Sequence, residues 1–244
     1  MSRDLVLLHG WGLSSTVWKP LTATLSGTFT LHTPDLPGHG SAASVGPSLH
    51  EWADALLPHI PEGAVLVGWS LGAQLALHLA QQAPERVARL VLIGSSPCFV
   101  QADNWPAALP ASTLDAFRQD FDTAPDTTQR RFVALQSLGD SARKAVAATL
   151  TDSLTPADDA RRTALADGLR LLAETDLRAI VPTIRQPVRL LHGSEDKLMP
   201  AAAAEWLADT LPDARLTVFG QCGHAPFLSR PEECATLIEG FALD

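Results

Sequence analysis

At 244 residues, 46% apolar and 18% charged, the chain can bury a sizeable core and is not composed like a disordered protein. A net charge of −9 argues against general nucleic-acid affinity, and no apolar run is long enough to span a membrane, so neither is an expected partner. Cys98, Cys222 and Cys234 form an odd set without framework spacing, and no stretch reads as a signal peptide, so the expected location is cytoplasmic.

Residues 5–8 are a continuous apolar run, expected as a strand buried on both faces. They lead into the glycine-punctuated loop His9-Gly10-Trp11-Gly12. Ser15 or Thr16 is placed to cap a short helix carrying Trp18, Leu21 and Leu25. Residues 29–33 predict a weaker strand, followed by the loop Pro34-Asp35-Leu36-Pro37-Gly38-His39-Gly40. Ser48 is expected to cap a helix with Leu49, Trp52, Ala53, Leu56 and Leu57 on its apolar face. Residues 65–67 predict a strand that ends in Gly68-Trp69-Ser70-Leu71-Gly72, with a helix over 73–82. Residues 89–93 predict another buried strand. This alternation predicts a mostly parallel, doubly wound α/β sheet.

Residues 97–184 carry no strong strand pattern. Four helices are expected there, over 112–121, 126–138, 140–152 and 156–174, with breaks at Pro110, Pro125, Gly139 and Pro156. Alternation then resumes with a strand at 188–192, a helix at 201–211, a strand at 216–219 and a helix at 231–243. The expected organisation is a core of residues 1–96 and 185–244, with a helical lid of residues 97–184 inserted in it.

A Gly-x-Ser-x-Gly turn between strand and helix lifts a serine hydroxyl above the end of a sheet, here Ser70. A serine hydroxyl is a weak nucleophile and needs a general base, which in turn needs an orienting acid. In a doubly wound sheet such partners belong on loops at the carboxyl ends of strands. The loop after residues 188–192 supplies two carboxylates, Glu195 and Asp196. The loop after residues 216–219 supplies His224. The order Ser70, Asp196, His224 suits a catalytic triad. The oxyanion would take backbone N–H groups of Leu71, after the nucleophile, and of Trp11, in the loop after the first strand. The Trp11 side chain is then expected at the pocket mouth.

The other histidines read as structural or solvent-facing. His9 orders its glycine loop, His39 sits on the Pro-Gly-His-Gly turn, and His32, His50, His59, His78 and His192 have no chemical partner in the pattern. Cys222 and His224 lack further metal ligands, so no metal is expected, and Cys222 lies on the base's own loop. There is no phosphate loop, and residues 9–12 lack dinucleotide-fingerprint spacing, so no cofactor is expected.

The chain resembles the α/β-hydrolase fold superfamily over nearly its full length. More narrowly it is similar to the pimeloyl-[acyl-carrier protein] methyl ester esterases of biotin synthesis. The matching stretches are Leu7-Leu8-His9-Gly10-Trp11-Gly12-Leu13, Asp35-Leu36-Pro37-Gly38, Gly68-Trp69-Ser70-Leu71-Gly72 and His224-Ala225-Pro226-Phe227. Narrower in distribution are Ser95-Ser96-Pro97-Cys98-Phe99 with Trp105-Pro106, and Arg131-Phe132-Val133-Ala134-Leu135-Gln136. The spacing of Asp196 to Pro200 resembles the family's acid loop, which favours Asp196 over Glu195.

The resemblance implies Ser70, Asp196 and His224 as triad, and Trp11 and Leu71 as oxyanion hole. It implies substrate contacts from Trp11, Ser70, Leu71 and His224, and from the lid residues Phe132, Val133, Ala134, Leu135 and Gln136. As a bare pattern the lid stretch is a piece of amphipathic helix that would equally serve as lid core. Phe132 and Gln136, four apart, share one helical face. The resemblance also implies docking of an acidic acyl-carrier protein by lid basic residues. The segment 97–184 holds nine Lys and Arg against twelve Asp and Glu, so any docking patch is local, with Arg131, Arg143 and Lys144 as candidates.

Members of the resembled family usually begin with a β-hairpin ahead of the residue 5–8 strand, whereas this sequence starts almost at that strand. About six strands are therefore expected, all parallel, with residues 29–33 at an edge that is covered or self-associates. A monomer is expected, with a dimer through that edge as the alternative. The implied activity is hydrolysis of the carrier-bound pimeloyl methyl ester, with lid docking presenting the distal ester rather than the thioester. Open alternatives are a general short-chain carboxylesterase or thioesterase, a C–C hydrolase or lyase using the same triad, and a non-catalytic ligand-binding protein.

Overall fold

The structure, a computed structural model, describes residues 4–25 and 27–244; the first three residues of the expected core lie outside the described residues. Six strands form one parallel sheet: β1 (Asp4–Leu8), β2 (Thr30–His32), β3 (Ala64–Trp69), β4 (Val87–Ile93), β5 (Val188–Gly193) and β6 (Ala214–Phe219). Their spatial order is β2-β1-β3-β4-β5-β6. The chain moves outward from β1 to β2, then returns to the other side of β1 at β3. The carboxyl ends of β1 and β3 therefore flank the point where winding reverses, which is where α/β sheets bind ligands.

The central strands are continuously apolar because both faces are covered. Val6, Leu8, Leu66, Leu90, Leu92 and Leu190 belong to one core cluster. Leu5, Leu7, Val65, Val67, Val91, Ile93 and Leu191 belong to the other. The alternation follows from the two-residue side-chain period of a strand. On the first face lie α2 (Leu49–Leu56), α3 (Leu71–Gln82) and α8 (Ala201–Thr210); on the second lie α1 (Lys19–Leu25) and α10 (Pro231–Leu243). The Ser48 hydroxyl accepts from the Glu51 amide, while the Glu51 carboxylate accepts from the Ser48 amide, closing a capping box at α2.

Between β4 and β5 come α4 (Ala111–Thr123), α5 (Pro125–Gln136), α6 (Arg143–Asp152) and α7 (Arg162–Glu174). These helices have no core of their own. Phe117, Phe121, Phe132, Leu165 and Leu169 join the cluster that contains Leu8 and Leu71. Val133, Val146 and Leu150 join the other.

Some element starts differ from expectation. Residues 15–18 form a 3-10 turn preceded by Ser14, so Ser15 and Thr16 lie inside the turn rather than capping a helix. Helices expected from residues 140 and 156 begin at Arg143 and Arg162. Asp140 and Asp158 spend their carboxylates on the Ala142 and Arg161 amides, which closes a turn ahead of each helix. A short helix, α9 (Pro226–Ser229), follows the histidine loop and was not expected. Both outer strands, β2 and β6, have no further strand paired to them among the described residues. No helix among those residues is long and apolar enough to cross a membrane.

Candidate active site

β3 delivers Ser70 at φ 58° and ψ −119°, a conformation that side chains other than glycine rarely adopt. The turn is held in a space that only glycines permit. A Cβ on Gly68 would lie 2.4 Å from the Gly72 carbonyl oxygen, and a Cβ on Gly72 would lie 2.2 Å from the Leu8 carbonyl oxygen. The Ser70 amide donates to the Ile93 carbonyl at 3.1 Å, tying the turn to β4. The Leu71 amide then opens α3 with no acceptor among the described residues, and the Trp11 amide has none either.

The loop carrying Trp11 is held by two buried histidines. The Leu36 amide donates to His9 Nε2 at 3.0 Å, and the Gly12 amide donates to His39 Nε2 at 3.0 Å. An accepting Nε2 carries no proton, so each ring holds its proton on Nδ1. From there His9 donates to the Gly10 carbonyl at 2.8 Å and His39 to the Pro37 carbonyl at 3.0 Å. Burial pushes the pKa of His9 down to about 4 and that of His39 down to about 3. Asp35 closes the surround, accepting from the Ser15 amide at 2.7 Å and the Ser41 amide at 2.8 Å.

Asp196 is 5% exposed, His224 1% and Ser70 3%. His224 Nδ1 donates to Asp196 Oδ2 at 2.6 Å. Asp196 Oδ1 accepts from the Leu198 and Met199 amides, each at 2.9 Å. Burial alone would raise the Asp196 carboxyl, but the His224 ring and the amide donors outweigh it and hold the carboxyl below its ordinary range. Glu195 points elsewhere, toward Lys197 at 3.1 Å, and is partly exposed. Of the two neighbouring carboxylates, Asp196 is the one bonded to the His224 ring.

The His224 ring lies against the residue that precedes the serine. Trp69 Nε1 donates to the His224 carbonyl at 2.9 Å, and the two ring centroids are 5.5 Å apart. His224 Nε2 is buried with no hydrogen-bond partner among the described residues. It makes no bond to Ser70 Oγ here; such contacts are commonly long before substrate arrives. His192 is also buried beside the acid, with Nε2 donating to the Met199 carbonyl at 2.7 Å and 3.5 Å from Asp196 Oδ2. Cys222 is a poor nucleophile, since burial pushes its thiol up to about 11. Among the described residues, no group of three or more His, Cys, Asp or Glu could hold a metal ion.

Trp11 is fully buried rather than at a pocket mouth. Its Nε1 donates to the Leu165 carbonyl of α7 at 2.7 Å. Its ring meets Phe117, Phe121 and Phe132 edge-on, with centroids 6.0, 5.6 and 5.2 Å away. A Cβ on Gly168 would sit 2.7 Å from Trp11 Cδ1. Gly168 is thus a site-shaping residue that sequence reasoning passed over; its signal was a glycine inside an otherwise helical pattern.

The stretch 132–136 divides. Phe132, Val133 and Gln136 are buried, whereas Ala134 and Leu135 are exposed. Five consecutive helical residues sweep more than one full turn, so they cannot all face one cleft. Gln136 Oε1 is buried with no partner among the described residues, and the Gln136 backbone carbonyl accepts from the His224 amide at 3.0 Å. Arg131, Arg143 and Lys144 are exposed. Arg131 pairs with Asp120, while Arg143 and Lys144 make no ion pair among the described residues.

The sequence profile of the family described as "Alpha/beta hydrolase family" matches residues 5–237. The chain belongs to the alpha/beta hydrolase family. A pimeloyl-[acyl-carrier protein] methyl ester esterase of Aromatoleum aromaticum is 56% identical over 97% of this chain and 96% of its own length. One from Nitrosomonas europaea is 43% identical over 94% of this chain and 92% of its own. An esterase from Exiguobacterium antarcticum superposes on this hydrolase-family chain with a TM-score of 0.87 at 21% identity, covering 100% of this chain and 92% of that one. At that identity the likeness speaks for the fold.

Proposed function

We propose that this chain is a serine carboxylesterase that hydrolyses the methyl ester of pimeloyl-[acyl-carrier protein] to the free carboxylate and methanol, a cytoplasmic step of biotin synthesis. The observation that carries the chemistry is the buried His224–Asp196 hydrogen bond of 2.6 Å, which leaves Nε2 without a partner next to the strained Ser70 turn. The 56% identical relative, named for this activity, supports the substrate.

Ser70 Oγ attacks the ester carbonyl as its proton passes to His224 Nε2. Asp196 offsets the charge of the imidazolium. The Trp11 and Leu71 amides receive the oxyanion, and being fixed by the fold they need no reorganisation. His224 then returns the proton to the methoxy oxygen and methanol leaves. Water, deprotonated by the same histidine, cleaves the acyl-enzyme.

The packed aromatic cluster of Trp11, Phe117, Phe121 and Phe132 is apolar and suits contact with a hydrocarbon chain once α4–α7 shift. With the triad so deeply buried, α4–α7 act as a lid over the core and must shift to admit substrate. Arg143 and Lys144, with no ion pair among the described residues, are placed to meet acidic side chains of the carrier, and Arg131 can exchange its exposed pair with Asp120 at little cost.

The test is turnover of the carrier-bound methyl ester beside a short aryl ester, with wild type and Ser70→Ala. Both esters should turn over, fluorophosphonate should label wild type, and Ser70→Ala should lose labelling and both activities. Hydrolysis of the aryl ester with the carrier-bound ester untouched would leave only a general esterase. Arg143→Glu with Lys144→Glu should raise KM for the carrier-bound ester more than for the aryl ester.

A further inference from the structure

The general base sits on a loop, and a loop must be held to about half an ångström for catalysis. On the core side, the Cys222 carbonyl accepts from the Glu195 amide at 2.9 Å, and the His224 carbonyl takes the Trp69 bond. On the same side the Gln221 amide donates to Ser194 Oγ at 3.1 Å and the His224 ring holds its bond to Asp196. Further anchors come from the segment joining α5 to α6. The Gln136 carbonyl accepts from the His224 amide at 3.0 Å, and the Ser141 amide donates to the Gln221 carbonyl at 2.9 Å. Between them Asp140 Oδ2 accepts from the Gly223 amide at 2.8 Å, immediately before the histidine. The same oxygen accepts from Ser229 Oγ of α9, and Oδ1 accepts from the Ala142 amide at 2.7 Å. The approach is close: a Cβ on Gly223 would lie 2.8 Å from the Gln136 carbonyl oxygen and 3.4 Å from Asp140 Cβ.

We propose that Asp140 is a positioning residue for His224. Its buried carboxylate joins the histidine loop, α9 and the turn that opens α6, so that the base is aimed at Ser70 only while the α5–α6 segment is seated. A backbone amide bonded to a carboxylate is a strong, directional tether. If the segment lifts, the Asp140, Gln136 and Ser141 bonds part together and the base is left on its core-side anchors alone. Lid seating and readiness of the base are then one event, and the ester meets an aligned triad only in the closed enzyme.

This inference rests on the triad reading above, and the experiment separates the two. Asp140→Ser keeps a short acceptor for the turn before α6 but cannot reach the Gly223 amide; Asp140→Asn keeps one oxygen of the right reach. Aryl-ester kinetics are normalised to serines titrated by fluorophosphonate, which removes any misfolded fraction. The expected result is a fall in kcat per titrated serine of about 10- to 100-fold for Asp140→Ser, the scale of a small misplacement, with KM within about twofold. Asp140→Asn should recover part of the loss. Asp140→Ser within about twofold of wild type, a loss confined to KM, or no recovery in Asp140→Asn would overturn the proposal. Full activity in Ser70→Ala would instead overturn the triad itself.

Discussion

The two histidines that hold the Trp11 loop should make this protein acid-labile well above the carboxylate range. Both are fully buried, and each Nε2 accepts an amide hydrogen that a protonated ring would repel. Their folded pKa values lie at about 4 and about 3, while an unfolded histidine titrates near 6.5. The folded pKa is depressed, so the stability is complete above the unfolded value. It is lost as pH falls below about 6.5, because the unfolded chain takes up protons that the folded chain refuses. At pH 5 the gap is about 1.5 units per ring, or about 2 kcal/mol each and about 4 kcal/mol together. That is a large part of the 5–15 kcal/mol of about any domain's stability. In the folded protein both rings stay largely neutral at pH 5. Asp35 beside them works in a lower range, because its amide donors hold it below the ordinary carboxylate value against the opposing effect of burial. The assay is urea unfolding at pH 7 and pH 5, for wild type and His39→Gln. Wild type should lose about 4 kcal/mol or more, as burial also lowers His192, and His39→Gln should lose about 2 kcal/mol less over the same interval. A pH dependence of equal size in both proteins would refute the reasoning.

The two acid-loop carboxylates should separate cleanly in kinetics. Asp196→Asn should lower kcat by about 10⁴-fold through the wrong histidine tautomer, whereas Glu195→Gln should stay within about twofold, as measured on an aryl ester. Gly72→Ala drives a Cβ to 2.2 Å from a β1 carbonyl oxygen and should abolish the soluble, cooperatively melting fold, as seen by circular dichroism. Phe132→Ala removes the ring packed on Trp11 and Phe117, and should cost about 3–5 kcal/mol in denaturant unfolding.

Much of this protein was legible in one dimension because its signals are local. Apolar runs ending in glycine loops marked strands buried on both faces, and the helix Pro231–Leu243 was bounded to the residue by its starting proline and apolar spacing. The Gly-x-Ser-x-Gly turn announced the strained Ser70, since the glycines are a steric requirement of the turn itself. Chain order then nominated the loops for acid and base. Tertiary structure decided what depends on partners distant in sequence. It paired His224 with Asp196 rather than Glu195, because one of the two neighbouring carboxylates turns inward to the ring while the other meets Lys197. It buried Trp11 against α4, α5 and α7, and it turned Ala134 and Leu135 outward while Phe132 and Gln136 faced in. It also brought Asp140 to the Gly223 amide across 83 positions of chain, a contact that no local pattern encodes. A side chain's type and spacing say what chemistry it can do; packing between segments fixes which neighbour it does it with.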